Sequence, residues 1–529
     1  MTVTASAEPT FEALPLAGSE EAGRLIRSSA IWASLTTLSR ILGLVREVLM
    51  AQAFGTTASA SALVVAQSVP NVSRSLISEE VARGALVPVL TEELDAQRER
   101  EAFQLASASA ACATVIMVVL AAILFAATDS LVAAVAHGHL SGSHNQSVTR
   151  HLFRILALLV LPNGIAAASS AMLIARGQFA LASAATAIAN VPIILLLFLD
   201  THPSITLAAW AIVAGFALQA CYQAIAVWRG ASSKYSFALW TPKLRTVAWL
   251  AVPVALTLGA ATFSGLIDIA FSGLVSAGAP AALDKAFRLM LVPYGAIAVA
   301  IGVVSLPTLV RYASAPAAFE RELARAVRLQ LAVLLPLGAA LIVLAKPVVV
   351  LAFQRGSFTA SSVSLTVSAL TGMALVLPAM GLSLLGSRAW LSRQRPWPAA
   401  AVAAGGLALN AGLDWVFVGP LGLFGICLST AVVHFAIGTI LLALAATHPK
   451  EFLGETAAYA SRVIAICMIA VGAFAGISRW VAIPPIIAIA AFVVGAAPVY
   501  YAGAKLLHIQ EIDEIVAMAR PLFRRGRHA

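Results

Sequence analysis

Apolar residues fall in long runs separated by short polar breaks, without the period-two alternation of half-buried strands. Fourteen runs can be marked, near 28-54, 58-78, 103-127, 149-175, 179-199, 204-228, 246-275, 281-311, 324-353, 360-390, 397-418, 421-447, 457-479 and 482-505. Many reach the roughly 20 residues that a helix needs to cross a ~30 Å hydrocarbon core. The pattern predicts an all-α polytopic membrane protein of about 14 transmembrane helices.

The polar breaks carry a second pattern. Lys and Arg collect in every other break: Arg24 and Arg27; Arg83, Arg98 and Arg100; Arg176; Arg229, Lys234, Lys243 and Arg245; Arg311, Arg321 and Arg325; Arg388, Arg393 and Arg395; Lys450; and Arg520 to Arg527. The intervening breaks near 55-58, 200-203 and 419-420 have none, and those near 355 and 479 have one each. Because basic loops stay on the cytoplasmic side, both termini are expected to be cytoplasmic.

Weak internal repetition sets the expected domain organisation. Pro70 of "SVPN" matches Pro293 of "LVPY", "VPVL" from Val87 matches "LPTL" from Leu306, and "LVLPN" ending at Asn163 matches "LVLPA" ending at Ala379. These offsets are 223, 219 and 216 residues. Later in each copy come an Arg (Arg176, Arg393) and an Asn (Asn190, Asn410). A period near 220 holds six helices, and an even number keeps both copies in one orientation. The expected layout is a polar cytoplasmic tail over 1-27, a six-helix half over 28-228, a cytoplasmic linker over 229-245, a second half over 246-447, two more helices over 457-506 and a basic tail over 507-529. The segments 79-102 and 229-245 read as amphipathic cytoplasmic pieces, and the tail reads as an interfacial helix or a plain topology signal.

Composition agrees: of 529 residues 60% are hydrophobic and 11% charged, with mean hydropathy +0.92, more apolar surface than a soluble domain hides. The net charge of +10 is scattered between apolar runs, so nucleic acid is not an expected partner. Cys112, Cys221, Cys427 and Cys467 lie inside spans without CxxC spacing, so no disulfide or metal site is expected. The acidic first 22 residues lack a signal-peptide core. Nucleotide-binding and hydrolase motifs are absent and no soluble catalytic domain fits, so the expected class is a transporter, not an enzyme.

Charged residues inside spans are expensive and mark pathways or ion pairs. Here the first run has Arg40, Arg46 and Glu47, the second Arg74 ahead of Glu79 and Glu80, the seventh Asp268, and the eighth Asp284, Lys285 and Arg288. These runs are equivalent under the repeat, so both halves send charge toward a shared space. Guanidinium groups suit phosphate, and Arg40, Arg46, Arg74 and Arg288 are the candidate clamp for a diphosphate. Six residues place Arg40 and Arg46 roughly 120° apart on a straight helix, so a bend at Gly43 would help both reach one cavity. The competing reading is that the charges snorkel or pair with one another to orient helices.

"SRILGLVRE" followed by "FG", then "VPN", Arg74, Glu79 and "VPVL", resembles the N-terminal signature of the MurJ (MviN) lipid II flippases of the multidrug/oligosaccharidyl-lipid/polysaccharide exporter superfamily. "AFRLMLVPYGAIAVAIGVVSLPTL", residues 286 to 309, is similar to that family's eighth-helix signature. The resemblance implies export of undecaprenyl-diphosphate-linked peptidoglycan precursor, lipid II, by alternating access. It also implies that the four arginines serve that task, with Ser39, Gly43, Glu47, Pro70, Asn71 and Glu79 supporting them. Membrane lipids and cell wall synthesis or division proteins are the further partners it suggests. Ser61 stands where many members have Asp, Glu80 where Gly is usual and Leu291 where Glu or another polar residue often occurs.

Asn410 and Asp414, four apart on one helix face, with Thr430 and Asp268, form a second constellation of hard oxygen donors suited to a small cation. The resemblance implies sodium as coupling ion, and no other cofactor. The competing reading is helix-helix hydrogen bonding by Asn410, with Asp414 at the interface. His434 reads as a packing residue, and "HGH" at 137 to 139 with His144 as a solvated loop. The rival functions are a flippase for another polyprenyl-diphosphate-linked glycan, such as an exopolysaccharide unit, a multidrug cation antiporter with an acidic cavity, and a transport-inactive scaffold.

Overall fold

A computed structural model describes residues 39, 41–76, 79–136, 138–200, 202–229, 237–395, 397–478 and 484–513. Arg40, the tail through 38, linker residues 230–236 and the tail beyond 513 lie outside the described residues. So do the side chains of Glu79 and Glu80.

The described chain is helical, as the membrane requires: a backbone without water must bond to itself. The first half runs α1 (41–54), α2 (Ala58–Leu76), α3 (Glu79–Asp95), α4 (Glu99–Ala126), α5 (Thr128–Val135), α6 (Ser143–Ala157), α7 (Asn163–Ala175), α8 (Phe179–Ile188), α9 (Val191–Leu199) and α10 (Ile205–Arg229). The second half runs α11 (Leu244–Ser272), α12 (Ala279–Pro293), a π turn at Tyr294–Ala298, α13 (Val299–Arg311), α14 (Pro316–Phe353), α15 (Ala360–Ser392) and α16 (Trp397–Ala445). Helices α17 (Pro449–Ser478) and α18 (Pro485–Leu506) follow. Proline opens α12, α14 and α18 in the first turn, where its missing N–H costs nothing.

Ten helices among the described residues are long and apolar enough to span a membrane, against about fourteen expected over the whole chain. Part of the difference is α16. As one helix its 49 residues would reach ~74 Å, more than twice the ~30 Å core. Gly422, at φ 56° and ψ −136°, breaks it into two. Part lies at the start of the chain: α1 is described over 41–54 alone, and α2 carries Gln67, Asn71 and Arg74 among its 19 residues.

Two segments outside the expected spans are held by the bundle. Segment 79–95 does not stand apart: α3 buries Ala85, Leu86 and Leu90 with residues of α4, α7 and α8. Nor does the start of the tail leave the protein, because Ile509 and Ile512 are buried with residues of α14 and α17. Glu511 holds that return, forming an ion pair with Arg328 at 3.1 Å and accepting from the Tyr459 hydroxyl at 3.1 Å.

Each half has its own core. One is built on α2, α5, α6 and α10 and takes in Ala281 of α12, with Leu266, Ile269 and Ala270 of α11 packed against it; the other, on α12, α14, α15 and α16, admits Ala51 from α1. The halves close on one another at the arginine-poor end. The Ser357 amide donates to Gln52 O at 2.8 Å, and Thr56 Oγ1 donates to Ser362 Oγ at 2.7 Å. Gly55 and Gly356, at φ 57° and 56°, make this approach feasible. A Cβ on either would lie 2.3 or 2.5 Å from a carbonyl oxygen of the opposite segment.

At the arginine-rich end the linker is tied to the first half. Buried Glu93 of α3 accepts from Arg98 at 2.8 Å and also pairs with Lys243, just ahead of α11. The Arg98 hydrogen bond, with Lys243 behind it, holds this carboxyl low, at about 2 against an ordinary 4.5. A depressed carboxyl stabilises the fold above its unfolded value and ceases to as pH falls through its folded one. Detergent-solubilised protein should therefore lose thermal stability between about pH 4.5 and 2, and Glu93→Gln should flatten that slope.

Candidate functional site

The site begins with α12. Its N-terminal amides face the first half, and Ala281 N donates to the buried Ser61 hydroxyl at 3.3 Å. Ser61 is thus a neutral cap supplied by α2. One turn on, Asp284 and Arg288 share a helix face and bond at 2.9 Å, with Lys285 beside them.

Facing them is α1, which brings Glu47. Its Oε2 accepts from Lys285 Nζ at 2.5 Å and lies 3.2 Å from Arg288 Nε, while Oε1 takes Arg46 Nη2 at 2.6 Å. Arg46 Nη1 donates to Asn190 Oδ1 at 2.9 Å. Glu47 is only 5% exposed, which such a carboxylate tolerates only with paired charges. Three cations, Arg46, Lys285 and Arg288, face two carboxylates, Glu47 and Asp284, leaving a charge of +1 drawn from both halves.

The cluster is not sealed. Arg46, Glu47, Asp284, Lys285 and Arg288 line a small space of about 40 Å³ with Gln67. Asp284 and Arg288 also face a cavity of about 400 Å³ whose wall includes Ser68, Asn71, Leu291 and His434. At the far side of this cavity are Asp268 and Thr430.

The other sequence candidates divide. Ser39 bonds Thr186 at 2.8 Å, Pro70 sits inside α2, and Asn71 lines the cavity. Helix α1 is continuous through Gly43 over its described residues. Arg74 lines neither space; its guanidinium stacks 5.0 Å from the Phe216 ring centre on α10. Arg40 and the Glu79 side chain lie outside the described residues. Four members of the site were not among the residues expected to form the clamp or support it: Asn190, Asp284, Lys285 and Ser61. Asn190 had a signal in the repeat. Asp284 and Lys285 were visible as charges, but which of them reaches Glu47 is decided by packing.

The second constellation is assembled as expected. Asn410 Nδ2 donates to Asp268 Oδ1 at 2.8 Å and to Asp414 Oδ2 at 2.9 Å; Thr430 Oγ1 donates to Asp268 Oδ2 at 2.9 Å. Ser264 Oγ donates to Asn410 Oδ1 at 3.1 Å. Asp268, Asn410 and Asp414 are 5%, 0% and 0% exposed. Two buried carboxylates thus have neutral donors as neighbours, and Asp414 Oδ1 has no hydrogen-bond partner. Low dielectric makes that arrangement costly without a proton or a cation. His434 bonds Ser383 at 3.4 Å and lines the cavity wall. Among the described residues no His, Cys, Asp and Glu group fits a metal centre.

Comparison with known proteins supplies the family. The chain is 28% identical over 406 residues to the probable lipid II flippase MurJ of Rhizobium tropici, covering 74% of this chain and 76% of that one. It is 26% identical over 420 residues to the lipid II flippase MurJ of Burkholderia cenocepacia, covering 77% and 81%. Its fold is similar to that of a lipid II flippase MurJ in an inward closed conformation, with TM-score 0.76, 21% identity and coverage of 91% and 100%. It is also similar to that of an inward-facing multidrug resistance MATE family transporter, with TM-score 0.66, 13% identity and coverage of 80% and 99%. The family model described as lipid II flippase MurJ matches residues 50–493, the greater part of the 529-residue chain, which belongs to the MurJ lipid II flippase family.

Proposed function

We propose that this multi-pass membrane protein moves lipid II from the inner to the outer leaflet by alternating access, in cell wall biosynthesis. The observation that carries the reading is the charge of +1 assembled by Arg46, Glu47, Asp284, Lys285 and Arg288 from both halves. A diphosphate entering between the halves would compete with Glu47 and Asp284 for the three cations. Binding would then loosen the ion pairs that join α1 to α12, which couples substrate capture to separation of the halves. Taking the arginine-rich end as cytoplasmic, the contacts at Gly55 and Gly356 close the outer side. The headgroup would enter from inside, and the lipid tail would stay in the bilayer.

A cationic site favours this over export of organic cations. A flippase for another polyprenyl-diphosphate-linked glycan would use the same cluster and differ in its sugar contacts. Complementation separates the two: rescue of a lipid II flippase-depleted strain, with lipid II restored to the outer surface, is the expected result. Loss of one surface polymer alone on depletion in the native host would overturn it.

Asp268, Asn410, Asp414 and Thr430 would hold a small hard cation such as sodium, which would supply the positive charge the two carboxylates lack. Its presence would strengthen the packing of α11 on α16 and bias one state over the other. Sodium should raise the melting temperature of the purified protein relative to choline at equal ionic strength. Asp268→Asn should remove that difference; an unchanged difference would exclude this site.

A further inference from the structure

The repeat can be read at single-residue resolution through the polar clusters. Gly43-Leu44-Val45-Arg46 of α1 aligns with Gly265-Leu266-Ile267-Asp268 of α11, an offset of 222 residues. Asn190 aligns with Asn410 at 220. The structure repeats the contact as well as the spacing: Asn190 bonds Arg46 at 2.9 Å, and Asn410 bonds Asp268 at 2.8 Å. An Asn side chain serves both, because its amide offers an acceptor to a guanidinium and donors to a carboxylate. The sign of the partner is reversed. Four residues beyond Asn410 stands Asp414; four beyond Asn190 stands Ile194. The second half therefore has two carboxylates at this locus, whereas the first half has a built-in cation and no acid in Asp414's place.

We propose that Asn190 is the positioning residue for Arg46, holding its guanidinium toward the charged cluster as Asn410 holds Asp268. Arg46 and Glu47 are sequence neighbours, and neighbours on a helix point about 100° apart. Their ion pair alone leaves the guanidinium free to swing around the carboxylate. Asn190 supplies the anchor from another helix. It is 8% exposed, and its Nδ2 donates to Thr186 O at 3.0 Å, which fixes Oδ1 toward Arg46 Nη1. Thr186 in turn bonds Ser39, tying the same segment to the start of α1. The break between α8 and α9 is thus a bracket for the polar face of α1.

This inference rests on the diphosphate reading only for the consequence of positioning, so two measurements are made on full-length purified protein. In the first, phenylglyoxal labelling of arginines is followed by peptide mass spectrometry. Asn190→Leu should raise the labelling rate of Arg46 severalfold while leaving Arg288 unchanged. Equal rates at Arg46 would overturn the proposal. In the second, binding of undecaprenyl diphosphate is measured. Asn190→Leu should weaken it roughly tenfold or more, as expected for loss of a hydrogen bond to a charged group. In an Arg46→Ala background the same change should have no further effect; an equal additional loss would mark Asn190 as merely structural. Should wild type fail to bind while Arg46 labelling rises, the positioning role stands and the diphosphate reading falls. Asn190→Ser, whose hydroxyl is too short to reach Arg46, repeats both measurements if the leucine variant does not accumulate.

Discussion

Replacing Arg288 with alanine is expected to abolish rescue of a lipid II flippase-depleted strain while the protein still reaches the membrane. Arg288 is the cation shared by both spaces: it bonds Asp284, approaches Glu47 and faces the 400 Å³ cavity. Without it, two cations face two carboxylates and the charge falls from +1 to zero. Truncating one partner of a hydrogen-bonded charge pair costs about 2–5 kcal/mol in binding, which is roughly 30-fold to several thousandfold in affinity. Arg288→Lys should recover only part, because an ammonium keeps the charge but not the paired donors of the planar fork. Growth, protein abundance in membranes and lipid II exposed at the outer surface are the readouts. Wild-type growth of Arg288→Ala would remove this residue from the clamp.

The second large effect is structural. Glu47 is the only carboxylate that α1 brings to the cluster, and it touches Arg46, Lys285 and Arg288. In Glu47→Gln three cations face Asp284 alone, a charge of +2. Leaving buried charge uncompensated costs about 3–5 kcal/mol, so a fall of several degrees in melting temperature and reduced accumulation are expected. Removing Lys285 as well, in Glu47→Gln with Lys285→Met, returns the charge to +1 and should recover much of the stability. A double variant less stable than Glu47→Gln would show that Lys285 is held by other interactions. Transport should not return with stability, because the ion bridge between the halves is gone.

The chemistry of these clusters was differently legible. Asp268, Asn410, Asp414 and Thr430 were readable as a group because two sit four apart on one helix and all are polar among apolar neighbours. Arg46 and Arg288 stood out for the same reason. Arg74 also stood out, but lies on Phe216, because a helix carrying a charge does not say which neighbour it meets. Asn190 was visible only as a repeat match, since an amide near a helix break has many local uses. Segment 79–95 read as amphipathic, but that α4, α7 and α8 share the core its apolar face enters is decided by packing.

What the sequence determined by itself is the solvent of each segment: apolar runs of helix length, basic breaks on alternate sides and a period near 220 residues specify a helical membrane protein with two related halves. These follow from transfer free energies, which depend on local composition. Only the tertiary structure decided that Glu47 meets Lys285 and Arg288, that Ser61 caps α12 and that Asn190 reaches Arg46. Those contacts join residues 144 or more positions apart, and pairing across such distances is set by how helices pack, which no local pattern records.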